Sequence, residues 1–110
     1  MSADQKNTNV FANTKSHRFE TEVDGHKAFL QYYLSENSIV FTHTEVPKEI
    51  EGHGVGASLA RAGLDYARHE SLAVVPLCPF VEQYIRKHPS ELELVEPSYR
   101  KKLSPEPPRA

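Results

Sequence analysis

The chain has 110 residues with a formal net charge of −2, and 38% of them are hydrophobic. That length supports a single core and excludes a two-domain enzyme, and its one cysteine, Cys78, excludes an internal disulfide. Residues 17–95 carry seven Lys/Arg against twelve Asp/Glu, the reverse of the basic footprint that a nucleic-acid partner requires.

Residues 1–16 are rich in Asn, Ser, Thr and Lys and read as a flexible N-terminal segment. Arg18 to Asp24 alternates polar residues with Phe19, Thr21 and Val23, a period of two that predicts a strand. Asp24-Gly25 is a tight-hairpin signal, because both turn positions favour positive φ. Lys27–Leu34 predicts a second strand with Ala28, Leu30, Tyr32 and Leu34 on one face. After a turn at Ser35-Glu36-Asn37, the β-branched run Ser38–Val46 predicts a third, with Ile39, Phe41, His43 and Glu45 sharing a face.

The second half changes period. From Val55 onward, Val55, Leu59, Ala62 and Tyr66 form one stripe at helical spacing, and Ala60, Gly63, Leu64 and Ala67 a second. Ser58, Arg61, Asp65 and Arg68 face outward, with Arg61 and Asp65 as an i,i+4 ion pair. Leu72–Leu77 is apolar enough for an inner strand. Pro79 then opens a helix with Phe80, Val81, Tyr84, Ile85 and His88 on its inner face, ended by His88-Pro89. A last strand is read at Glu91–Val95, and 96–110 as a flexible Pro-rich tail with Arg100-Lys101-Lys102 solvated. The compact region is thus 17–95, an α+β domain ordered β-β-β-α-β-α. It has no signal-peptide pattern and no apolar run near the roughly eighteen residues of a membrane helix, so a cytoplasmic protein without membrane partners is expected.

Between the third strand and the first helix lies Val46-Pro47-Lys48-Glu49-Ile50-Glu51-Gly52-His53-Gly54-Val55-Gly56-Ala57-Ser58. Glycine leaves backbone N–H groups uncovered, and a helix start adds unpaired donors. Together they cradle an anion such as a pyrophosphate. Gly52-x-Gly54-x-x-Ala57 formally matches the dinucleotide fingerprint, but that motif turns directly from strand to helix inside a βαβ unit. Here hairpins precede it and five residues intervene. A nucleotide-triphosphate P-loop would need Gly-Lys-Ser/Thr, which is absent from the sequence.

Glu51-Gly52-His53-Gly54-Val55-Gly56 resembles the Gln/Arg-x-x-Gly-x-Gly/Ala signature of the GNAT acetyltransferases, with Glu51 where the family usually has Gln or Arg. The likeness extends to the very small, YjdJ-like members of that superfamily. It rests on His43-Thr44, Val46-Pro47, Pro76-Leu77-Cys78-Pro79-Phe80, Tyr84-Ile85 and His88-Pro89, and covers roughly 18–95. The resemblance implies a truncated GNAT-like fold that binds acetyl-CoA and moves its acetyl group to an unidentified amine. Pantetheine would lie along the strand ending at Glu45 and Val46, with the pyrophosphate on the N–H groups from His53 to Ser58 (His53, Gly54, Val55, Gly56, Ala57, Ser58). The thioester would point toward the gap before Leu72–Leu77, where His43 and Cys78 converge. Pro79, Phe80 and Tyr84 are read first as helix start and core, and secondarily as a wall of the CoA site.

Position adds to this for Cys78. Preceding Pro79, it sits at or near a helix N-cap, where a thiolate is stabilised and could accept an acetyl group. The alternative is a small buried apolar cysteine. His43 is either a structural histidine or a general base. His17, His26, His69 and His88 show no ligand-type spacing, so no metal is expected. A rival reading is an acyl-CoA-binding or sensing module with little or no turnover, and an adaptor with a relic fold is the third. The free meander edge is compatible with a monomer or a weak homodimer.

Overall fold

Two tight turns generate the antiparallel half of the sheet. Asp24 and Gly25 take φ of 49° and 80°, as a two-residue hairpin loop demands, and set Val23 opposite His26. Glu36, at φ 42°, turns the chain so that Ser35 faces Ser38. A computed structural model describes residues 9–103 and places β1 (Phe11–Asn13), β2 (Arg18–Val23), β3 (His26–Ser35), β4 (Ser38–Glu45) and β5 (Ala73–Pro76) in one sheet. The spatial order is the chain order, antiparallel except for the parallel pair β4 and β5. Four strands come first and the fifth follows the first helix, a mixed arrangement of the α+β class expected from the sequence.

One face of the sheet carries the core. Phe19, Thr21, Ala28, Leu30, Tyr32, Ile39 and Phe41 are buried there, while Leu34 is exposed at the sheet's end. Helix α1 (Val55–Glu70) lays Val55, Leu59, Ala60, Gly63, Leu64 and Ala67 against it. Gly63 permits a close approach, since a Cβ there would stand 2.8 Å from the Phe41 ring. Helix α2 (Pro79–Lys87) follows β5 and buries Val81, Tyr84 and Ile85. Phe80, assigned to the inner face by helical spacing, is instead exposed. Among the described residues no helix is long and apolar enough to cross a membrane.

Four sequence expectations are corrected. The segment 1–16 is not wholly loose: residues 1–8 lie outside the described residues, but β1 pairs Phe11 with Glu20 and Asn13 with Arg18. Polar composition hid this strand, because edge pairing uses backbone groups. The strand read at Glu91–Val95 is a 3₁₀ turn over Pro89–Leu94, and only Val95 bridges to β5, opposite Val74. Part of the expected tail 96–110 is ordered as helix α3 (Pro97–Leu103), with Leu103 buried in the core. Pro97 is its first residue, where proline starts a helix as readily as it ends one elsewhere, and Glu96 accepts the Ser98 N–H. The rest of the tail lies outside the described residues. Finally, Asp65 pairs with Arg68 at 3.5 Å in place of Arg61, and Arg68 also reaches Glu91 at 2.9 Å.

Candidate functional site

The glycine segment enters helix α1 through a short ordered turn. Val46-Pro47 leads into a 3₁₀ turn over Lys48–Ile50, closed by the Ile50 N–H bonding to the Pro47 carbonyl at 3.0 Å. Ile50 is fully buried and anchors the turn. Gly52 and Gly54 then adopt φ of 86° and 76°, left-handed values that cost a side-chain-bearing residue. Gly54 is the N-cap of α1, and no side chain caps the helix. The first helical bond runs from the Ser58 N–H to the Gly54 carbonyl at 3.0 Å, so the N–H groups of Val55, Gly56 and Ala57 have no partner within the helix. An ideal Cβ on Gly52 or Gly54 would meet nothing within 4 Å. The loop that leads into these donors is therefore open at Gly52 and Gly54.

Beside them lies a cleft of about 500 Å³, bounded by Thr44 of the β4 edge, by Val46 just beyond it, by the glycine loop and by Phe80. The cleft exists because the parallel pairing of β4 and β5 stops at Phe41 opposite Pro76. There the Phe41 carbonyl accepts both the Leu77 and the Cys78 N–H, at 3.0 and 2.9 Å. Beyond it β5 turns into α2, and β4 continues from Thr42 with no strand on that side among the described residues. An extended ligand with amide groups can pair with such an edge as a strand would.

Cys78 stands at the head of this gap. It is the N-cap of α2 and only 2% exposed. Its side chain caps nothing; Sγ is hydrogen-bonded to Thr44 Oγ1 at 3.0 Å. The pair joins β4 to the start of α2 across the point where the strands diverge.

His43 is not brought to Cys78. The pairing of β3 with β4 slips between Gln31 opposite His43 and Tyr32 opposite Phe41, which makes Thr42 an extra residue, a β-bulge. The bulge reverses the alternation, so Thr44 takes the core-side phase that Phe41 held and His43 and Glu45 take the other. His43 bonds Glu45 through Nε2 at 3.1 Å, and its ring lies 5.9 Å from Phe29 on the sheet's outer face. Thr44 is the residue that sequence reasoning missed. No sequence signal marks a bulge here, and strict alternation points to His43 instead.

The remaining expected residues divide among three places. Val46, Glu51, Gly52, Gly54, Val55, Gly56 and Ala57 line the cleft. Ser58 and Tyr84 line a second groove, between α1 and α2, that shares Ala57 and Phe80 with the first. Glu45, His53 and Pro79 line neither. Phe80 explains Gly56: a Cβ there would stand 2.7 Å from the Phe80 ring, so glycine lets the ring close the cleft's end. A protein-family model described as GCN5-related N-acetyl-transferase matches residues 18–95, a span that holds the glycine loop, the divergent strands and Cys78.

Proposed function

The chain belongs to the GCN5-related N-acetyltransferase family, and on that premise we propose that it is an acetyl-CoA-dependent N-acetyltransferase whose acceptor is an amine. The observation that carries this reading is the cleft itself. It runs from the uncapped start of α1 along the free edge of β4 as far as Thr44, whose hydroxyl is hydrogen-bonded to the buried Cys78 Sγ. The N–H groups of Val55 to Ala57 would hold the pyrophosphate of CoA, and the edge ending at Glu45 and Val46 would pair with the pantetheine amides. When bound, acetyl-CoA supplies an acetyl group already activated as a thioester.

The chain's own residues supply position and proton transfer. Cys78 Sγ, hydrogen-bonded to the Thr44 hydroxyl, would attack the thioester carbonyl and break its C–S bond, its own proton leaving with the CoA thiolate as free thiol; the amine would then attack the acetyl-cysteine, and the proton it loses would return to the departing Cys78 thiolate. His43, paired with Glu45 on the outer face, lies on the other side of the sheet from Cys78 and takes no part in this exchange. A second reading, an acyl-CoA-binding module without turnover, is favoured by the burial of Cys78 at 2% exposure.

Thermal melts with acetyl-CoA, CoA and NADH test the binding step. A ligand at about a hundred times its dissociation constant adds roughly 2.7 kcal/mol, worth about ten degrees or more in a domain of this size. Both CoA species should raise the midpoint and NADH should not; no shift with either CoA species would refute the reading. Cys78→Ala then separates the two functions. Binding retained with acetyl transfer lost supports the covalent route, and undiminished turnover eliminates it. A His43→Gln variant should bind CoA and transfer acetyl at the native rate; a rate about a hundredfold lower would return His43 to the chemistry as a general base.

A further inference from the structure

Cys78 is buried and is not among the residues that line the glycine-loop cleft, whereas Thr44 lines the cleft and is only half-buried. Thr44 Oγ1 stands 3.0 Å from Cys78 Sγ. Among the described residues, this is the one side-chain hydrogen bond that either residue makes. Both ends of the contact are fixed by backbone. The bulge at Thr42 turns Thr44 to the Cys78 side of the sheet, and the Phe41 carbonyl holds the Cys78 N–H at 2.9 Å. Threonine's branched side chain has few χ1 states, which keeps the hydroxyl in register with the thiol. One hydroxyl therefore touches both the thiol and the space that a thioester would enter.

Acetyl transfer through Cys78 moves a proton off the thiol in its first half and back onto it in its second. At 2% exposure the thiol cannot exchange that proton freely with solvent. His43 is turned to the other face of the sheet. Of the residues that line the cleft, only Glu51 can titrate, and it belongs to the glycine loop. A hydroxyl has one donor hydrogen and two acceptor lone pairs. With the Cys78 S–H donating to Thr44 Oγ1, the threonine hydrogen is free to point into the cleft.

We propose that the Thr44 hydroxyl relays the proton between the buried Cys78 thiol and the cleft. As Sγ bonds to the acetyl carbon and the thioester C–S bond breaks, Oγ1 takes the Sγ proton and gives its own hydrogen to the departing CoA sulfur. When the amine attacks the acetyl-cysteine and the bond from carbon to Sγ breaks, Oγ1 takes the proton that the amine loses and gives its hydrogen to Sγ. Threonine begins and ends each half neutral, and no further reactant is needed. The relay rests on the reading that Cys78 carries the acetyl group.

Rapid mixing of the full chain with excess acetyl-CoA and no amine, followed by quenching and intact mass measurement, tests it. The native chain should gain one acetyl group that Cys78→Ala does not. Thr44→Val, which keeps the branched shape and removes the hydroxyl, should gain it about a hundredfold more slowly, with its affinity for CoA unchanged by titration. Thr44→Ser, which keeps the hydroxyl, should recover most of the rate. Deuterium oxide should slow the native chain and Thr44→Ser, and slow Thr44→Val less, since a merely structural threonine would leave the isotope effect unaltered. A native rate in Thr44→Val, a Thr44→Ser as slow as Thr44→Val, a loss of affinity that accounts for the loss of rate, or an isotope effect that persists in full in Thr44→Val overturns the relay and leaves the covalent route standing. Absence of the acetyl adduct from the native chain overturns the covalent route and the relay together.

Discussion

Alanine at Gly56 and alanine at Gly63 should have opposite consequences, although the two sites lie two turns apart on one helix. At Gly63 the new Cβ would stand 2.8 and 2.9 Å from Phe41 ring carbons and 3.1 Å from Leu30 Cδ2. Phe41 and Leu30 are fully buried, so neither can yield without disturbing the core. Overpacking of that kind costs about 1–3 kcal/mol, against roughly 1 kcal/mol gained from alanine's helix propensity. The expected balance is a loss of about 1 kcal/mol, read as a midpoint lower by about 4–8 °C. At Gly56 the contact is tighter, 2.7 Å, but the neighbour is the Phe80 ring, which is 41% exposed and free to swing. Stability should change by less than about 0.5 kcal/mol. The displaced ring and the added methyl should instead narrow the cleft and weaken CoA binding. Thermal melts and CoA titrations of both variants decide the matter. A stabilised Gly63→Ala, or a Gly56→Ala that loses stability and keeps full affinity, would refute the reasoning from packing.

Glu51 lines the cleft as an exposed acid, so Glu51→Gln should tighten CoA binding by a factor of about two to five, the scale of one exposed charge contact; an unchanged or weaker affinity would place its carboxylate away from the phosphates. Burial, and secondarily the neighbouring Tyr66, raises the pKa of the Tyr32 phenol above its ordinary 10.0. The fold thus favours the neutral ring, and that stability is complete below the unfolded pKa and lost as pH rises through the folded one. Denaturant midpoints from neutral to strongly alkaline pH should fall more steeply for the native chain than for Tyr32→Phe, and parallel profiles would contradict this. Leu103 is 1% exposed at the end of α3, so Leu103→Ala should cost about 2–5 kcal/mol by chemical denaturation. A neutral result would show that α3 is dispensable to the core.

Much of this protein was determined by its sequence alone, wherever the cause is local. Asp24-Gly25 adopts the hairpin turn because few other pairs accept positive φ twice, and the Gly52–Gly54 segment forms an open helix start for the same reason. The apolar stripes of α1 pointed to its buried face, and Pro79 to the first residue of α2. Tertiary structure decided what depends on competition between segments. A single extra residue at Thr42 in the β3–β4 register exchanged His43 for Thr44 beside Cys78. The choice of Asp65 between two arginines left Arg61 to the α1–α2 groove. Leu103 could be recognised as core only once the distant surfaces it covers had assembled. Backbone torsion and helical period are properties of a few neighbouring residues, whereas register, ion-pair choice and docking are settled by which of several compatible partners packs with the lower free energy.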